Sequence, residues 1–149
     1  MLAEIKGYRE FAIIIDGTSD ISGKEQLSFC IRTVDDQLNP KEYFLGLYEV
    51  QSTTADVLLA VVKDIFQRFG LSFDDLRAQC YDGASNMSGI HHGLAAQITQ
   101  LQPVAIYVHC YAHSLNLAVQ DCVSSFTDVR NTMFNVNEVA TVVKGSPKR

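Results

Sequence analysis

At 149 residues, 47% of them hydrophobic, the chain has the length of one compact α/β domain and enough apolar material for a sizeable core. A net charge of −5 excludes a broad surface that grips nucleic acid unaided, because phosphate affinity comes mainly from Lys and Arg. No window approaches the roughly 20 apolar residues of a membrane span, and the start MLAEIKGYRE lacks a secretory h-region, so a non-secreted, intracellular protein with no membrane partner is expected.

Phe11–Asp20 reads FAIIIDGTSD, an apolar run that predicts a strand buried on both faces with one carboxylate, Asp16, near its far end. A buried acid needs a partner or a metal; the simpler alternative is that backbone amides of the Gly17–Ser19 turn satisfy it. Asp20, four residues after Asp16, could reach the same region as an acid, but reads first as a cap or Asx-turn residue. Gln26–Val34 alternates Leu27, Phe29 and Ile31 with polar positions and predicts a half-buried strand, and Glu42–Val50 predicts a third. At Thr53 the period changes to 3.6, with Leu58, Val61, Val62, Ile65 and Phe69 on one face. Thr53 with Asp56 resembles a capping box, and Gly70 is the stop. Leu76–Tyr81 predicts a fourth strand ending at Asp82-Gly83. Met87, Ile90, Leu94, Ile98 and Leu101 then form a second helical stripe up to Pro103. Val104–His109, apolar throughout, predicts an interior fifth strand. Leu115–Val123 reads as a helix, and Phe126 to Val143 carries a helical seam that Gly145-Ser146-Pro147 ends.

Three strands with short links, followed by two crossover units, predict a mixed five-stranded sheet: an antiparallel meander plus two parallel strands, with helices on both faces. In that order the first and fourth strands lie side by side, which brings Asp16 close to Asp82. Paired carboxylates on adjacent strands suit Mg²⁺ or Mn²⁺ and the chemistry of phosphodiester displacement. Asp82 also reads as a helix N-cap. A third acid is not evident, since none of Asp121, Asp128 and Glu138 stands out. The run His109-Cys110-Tyr111-Ala112-His113 carries CxxH spacing, but His91 and His92, expected on a helix, offer no second half for a zinc site. His113 reads either as an imidazole facing the two aspartates or as a cap of the next helix. Cysteines 30, 80, 110 and 122 read as reduced core thiols, and the sequon at Asn86 as unglycosylated.

The segments IIIDGTSDISGKEQLSFCIRTVD, CYDGASNMSG and VHCYAHSLNLAVQD, in that order, resemble the ribonuclease-H-like core of hAT-superfamily transposases, in the branch of the zinc finger MYM-type 1-like proteins. The likeness covers about residue 5 to Arg149. It implies Asp16 and Asp82 as the first two catalytic, metal-binding acids, with Mg²⁺ or Mn²⁺ as cofactor, and His113 as the active-site histidine of the CxxH motif. The third acid of that family lies beyond a large helical insertion, roughly where this chain stops. The expectation is therefore a partial ribonuclease-H-like domain over residues 1–149, catalytically incomplete alone and nuclear. DNA is the partner of a full-length relative and is bound weakly or not at all by this acidic fragment; the seam of the last helix reads first as packing on its own sheet and otherwise as a surface for self-association or a protein partner. The alternative is a domesticated, non-catalytic interaction or DNA-associated regulatory module. A self-sufficient nuclease would need an acid on the first long helix, where Asp56 and Asp64 stand.

Overall fold

The computed structural model describes residues 2–19 and 21–145, so Asp20 and the expected stop at Ser146-Pro147 lie outside the described residues. Two units make up the chain, Met1–Cys110 and Tyr111–Arg149. In the first, a short helix α1 (Leu2–Ile5) precedes strands β1 (Phe11–Ser19), β2 (Glu25–Val34) and β3 (Pro40–Glu49). Helix α2 (Ala55–Phe69), strand β4 (Leu76–Tyr81), helices α3 (Ser85–Ser88) and α4 (Leu94–Leu101) and strand β5 (Ile106–His109) follow. The second unit holds α5 (Tyr111–Ser125) and α6 (Thr127–Gly145). Among the described residues no helix is long and apolar enough to cross a membrane.

The strands form the expected mixed five-stranded sheet in the order β3-β2-β1-β4-β5. The β1–β2 and β2–β3 pairs are antiparallel, and β1–β4 and β4–β5 are parallel. On one face Phe11, Ile13, Ile15, Leu27, Phe29 and Ile31 pack into a single core with Leu58, Val62, Ile65 and Phe66 of α2 and Leu94 and Ile98 of α4. Each such fully buried side chain contributes about 1.5–3 kcal/mol. Phe66 joins the layers, with ring centroids 5.7 Å from Phe11 and 4.3 Å from Phe73. Gly70, at φ 61°, ends α2 as expected: its amide and that of Leu71 donate to the carbonyls of Gln67 and Phe66.

Four expectations are corrected. First, β1 is not buried on both faces. Ala12 and Ile14 are half-buried and Asp16 is exposed, because α2 and α4 lie against the face of Ile13 and Ile15. Second, the capping box at Thr53 does not form; Thr54 is the N-cap without a side-chain bond, and the Asp56 carboxylate accepts instead from Gln97 Nε2 at 2.8 Å. Third, the stripe from Met87 to Leu101 is not one helix. A turn from Gly89 to Gly93 separates α3 from α4, leaving Ile90, His91 and His92 exposed and off any helix. A Cβ on Gly89 would stand 2.3 Å from the Ser85 carbonyl oxygen, and one on Gly93 2.4 Å from the Gly89 nitrogen, so backbone packs on backbone there. Fourth, β5 is an edge strand that begins at Ile106, not at Val104, and both Val104 and Ile106 are exposed. The cysteines are thiols outside the buried core: Cys30, Cys80 and Cys110 are half-buried and Cys122 is exposed. In the helical unit, Phe126, Met133, Val136 and Val143 of the apolar seam are exposed.

One polar side chain is built into the core. Gln79, fully buried on β4, donates through Nε2 to the carbonyls of Ala95 and Ala105 and to Thr99 Oγ1, and its Oε1 accepts from the Tyr81 hydroxyl at 2.8 Å. The amide thus ties β4 to α4 and to the approach of β5. Replacement by leucine strands several buried partners, so Gln79→Leu is expected to cost about 2 kcal/mol or more in urea unfolding. Thr33 presents the opposite case. Its Oγ1 is buried without a hydrogen-bond partner among the described residues, so Thr33→Val is expected to raise stability by about 1 kcal/mol in the same measurement.

Candidate active site

The site is set by the parallel register of β1 and β4. Ala12 pairs with Ala78, Ile13 with Gln79 and Ile14 with Cys80, after a shift between Phe11 and Ala12. Asp16, on β1, and Asp82, the residue after β4, each stand two positions beyond the Ile14–Cys80 pair. Adjacent strands lie about 4.8 Å apart, so both residues fall at the same end of the sheet. Asp16 is exposed; its carbonyl accepts from Ser28 Oγ of β2 at 3.2 Å. Asp82 is half-buried just past the end of β4.

The Asp82 turn is held from several sides. Its Oδ1 accepts from the Ala84 amide at 3.2 Å, an Asx turn, while Ala84 and not Asp82 is the N-cap of α3. Tyr107 Oη on β5 donates to the Asp82 carbonyl at 2.9 Å. Burial pushes the Tyr107 hydroxyl above its usual pKa; a hydrogen bond with Ser88 opposes that shift and the nearby Asp82 charge reinforces it. Further along, Asn86 Nδ2 donates to the Thr53 carbonyl at 2.6 Å, which fastens α3 to the start of α2 and occupies the sequon side chain.

A histidine does line this turn, but it is one to which the sequence reasoning gave no role. His109 pairs with Tyr81 in the β4–β5 register, and its ring lies against Gly83: a Cβ there would meet His109 Cε1 at 3.1 Å and Nε2 at 3.3 Å. The signal was present in the parallel pairing, which sets the last residue of β5 beside the last of β4. His113 stands in the helical unit, on the first turn of α5, half-buried. The acids offered for a self-sufficient nuclease are engaged elsewhere, Asp56 with Gln97 and Asp64 with Arg68 at 2.6 Å. Among the described residues no three His, Cys, Asp or Glu side chains cluster as a metal-binding group.

The donor set at Asp16 and Asp82 is hard oxygen, which suits Mg²⁺ or Mn²⁺ completed by water and substrate phosphate oxygens. Two carboxylates of this kind fit a weak, substrate-assisted cation site and do not fit an all-protein cage.

A mixed five-stranded sheet of this strand order is that of an RNase-like α/β domain. Residues 1–93 match the family described as the ZMYM1/FAM200 RNase-like domain, and the chain belongs to that family. It is also similar to the 52 kDa repressor of the inhibitor of the protein kinase from Mus musculus, 30% identical over 115 residues, covering 77% of this chain and 15% of the relative. To the Homo sapiens protein of the same name it is 27% identical over 147 residues, covering 99% of this chain and 19% of the relative. The chain thus spans less than a fifth of the length of either.

Removing the Tyr107 hydroxyl tests how the turn is held. Tyr107→Phe is expected to lose about 1 kcal/mol of stability and to speed amide exchange at Asp82, Gly83 and Ala84 relative to the rest of the sheet, read by hydrogen-exchange NMR.

Proposed function

We propose that this chain is part of a transposase-derived RNase-like domain that retains a two-carboxylate cation site at Asp16 and Asp82 and does not cleave or join DNA by itself. The observation that carries the reading is the β1–β4 parallel register, which favours joint use of the two acids by one cation. When bound, the cation supplies Lewis-acid activation of a phosphodiester and shields charge between the carboxylates. The protein's part is to hold the carboxylates: Asp16 near the free end of a central strand, Asp82 in a turn braced by Tyr107 and Ala84. Cutting and strand transfer would need a further acid to position water, a role that neither Asp56 nor Asp64 is free to take. DNA as the partner of the whole protein, and a nuclear setting, belong to the same proposal.

A second reading is favoured by the relatives, which are named as repressors. In it the fold is kept as a regulatory module and the carboxylates are inherited. The apolar seam of α6, exposed at Met133 and Val136 and continued by Phe126 just before it, favours a protein partner or self-association in that role.

Calorimetric titration of Mn²⁺ separates the two. The first reading expects millimolar binding that is lost in both Asp16→Asn and Asp82→Asn, with melting temperatures preserved, and no Mg²⁺- or Mn²⁺-dependent nicking of DNA. Identical metal isotherms for wild type and the two variants would leave only the regulatory module standing.

A further inference from the structure

At the other end of the sheet from Asp16 and Asp82, a cleft of about 650 Å³ opens beside the first residues of β1. Three arginines line it, Arg9, Arg32 and Arg77, in a chain whose net charge is −5. The register explains their convergence. Ala12 of β1 pairs with Arg32 of β2 on one side and with Ala78 of β4 on the other, so two alanines leave a shallow floor. The shift between Phe11 and Ala12 makes Arg77 the extra residue of a bulge, a device that re-aims a side chain. Arg9 enters from the segment just before β1 and makes no ion pair or hydrogen bond among the described residues.

Two of the guanidinium groups are held by acids that leave donors over. Arg32 donates from Nε to Glu42 Oε1 at 2.8 Å and from Nη2 to the same oxygen, so Nη1 is unspent. Arg77 donates from Nε to Glu10 Oε1 at 2.9 Å and from Nη1 to the carbonyls of Asp74 at 2.6 Å and Leu76 at 3.2 Å, so Nη2 is unspent. Such pairs fix the planar forks in advance, which lowers the entropy cost of receiving an anion. The acids lining the cleft are Glu10, bound to Arg77, and Asp36. Glu42, bound to Arg32, is a third acid beside the cleft, so Glu10 and Glu42 each offset one arginine, and Arg9 is the cleft arginine with no acid bound to it among the described residues. Tyr8 supplies an aromatic wall, with Lys41 Nζ 6.0 Å from its ring centroid.

We propose that this cleft binds the phosphate of a nucleotide, with Arg9 and the spare donors of Arg32 and Arg77 on the phosphate oxygens and the base against Tyr8. A fork of N–H donors over a small-residue floor matches phosphate better than a point charge would, and stacking on a tyrosine face accepts any base. The nucleotide is either free or at the end of a nucleic-acid strand; the chemistry recognised is the same.

Calorimetric titrations on the whole chain, with a chelator present to silence cations at Asp16 and Asp82, test the assignment. The probes are inorganic phosphate, adenosine 5′-monophosphate and a short single-stranded oligonucleotide. The monophosphate is expected to bind about tenfold more tightly than phosphate. Arg9→Ala, at an exposed position without partners, is expected to weaken it about tenfold while the melting temperature holds. Asp16→Asn with Asp82→Asn leaves this binding unchanged, so it stands or falls apart from the cation site. A strand bound more tightly than the monophosphate, with affinity falling steeply in salt, identifies strand ends as the source; equal affinities identify the free nucleotide. No binding of any probe at concentrations on the order of 10 mM overturns the proposal, as does equal affinity of wild type and Arg9→Ala. Phosphate bound as tightly as the monophosphate removes the nucleotide from it.

Discussion

The parallel pairing of β1 with β4 is the constraint on which the molecule depends. A meander of β1, β2 and β3 could exist as an isolated ribbon, with β1 as an exposed apolar edge inviting other strands. Docking β4 on that edge makes β1 a central strand, draws α2 over Ile13 and Ile15, and creates the second edge on which β5 pairs. Because the pairing is parallel, it needs the crossover through α2, and the core that α2 buries is what repays the closure entropy of that long connection. Both ends of the sheet follow from it: Asp16 and Asp82 fall at one end, and Arg32 and Arg77 flank Ala12 at the other.

The β4 strand carries more of this than its length suggests. Gln79 and Tyr81 face the helices and exchange a hydrogen bond in the core, while Ala78 and Cys80 face the other way. The amide of Gln79 reaches α4 and the residue before β5, so β5 is brought to β4 by side-chain as well as ladder contacts. Burial pushes the Tyr81 hydroxyl well above its usual pKa, which keeps it a neutral donor to Gln79. From β5, Tyr107 and His109 then reach back to the turn at Asp82 and Gly83. The Gln79–Tyr81 part of this network is buried, hydrogen-bonded and local, which is the condition under which it specifies one arrangement of strands.

Much of this was legible in the chain. The alternation of Leu27, Phe29 and Ile31, the change of period at Thr53 and the stop at Gly70 are local signals, and each marks an element within a residue or two of where it stands. Strand order followed from connection lengths, and with it the placement of Asp16 and Asp82 at one end of the sheet. What escaped depends on neighbours that periodicity does not name. Ile90 continues a helical stripe on paper, yet Gly89 and Gly93 pack backbone on backbone and break it. Ile106 is as apolar as any core residue, but it lies on an edge strand and is exposed. His109 closes the β4–β5 register, and only that pairing shows that its ring lies against Gly83.

The exposure of Asp16 changes the physics of the acidic end. A carboxylate in a dry core must be neutralised at all times, whereas an exposed one such as Asp16 keeps its hydration. The fold therefore does not depend on what Asp16 binds. The arginine end is separated from it by the length of a strand. From Ala12 to Asp16 is four steps of about 3.3 Å, or about 13 Å, which exceeds the roughly 8 Å screening length at physiological ionic strength. Charges placed at one end are therefore felt weakly at the other. One central strand can present an acidic and a basic face to different parts of the same phosphate-bearing partner, and each can change in evolution without disturbing its opposite.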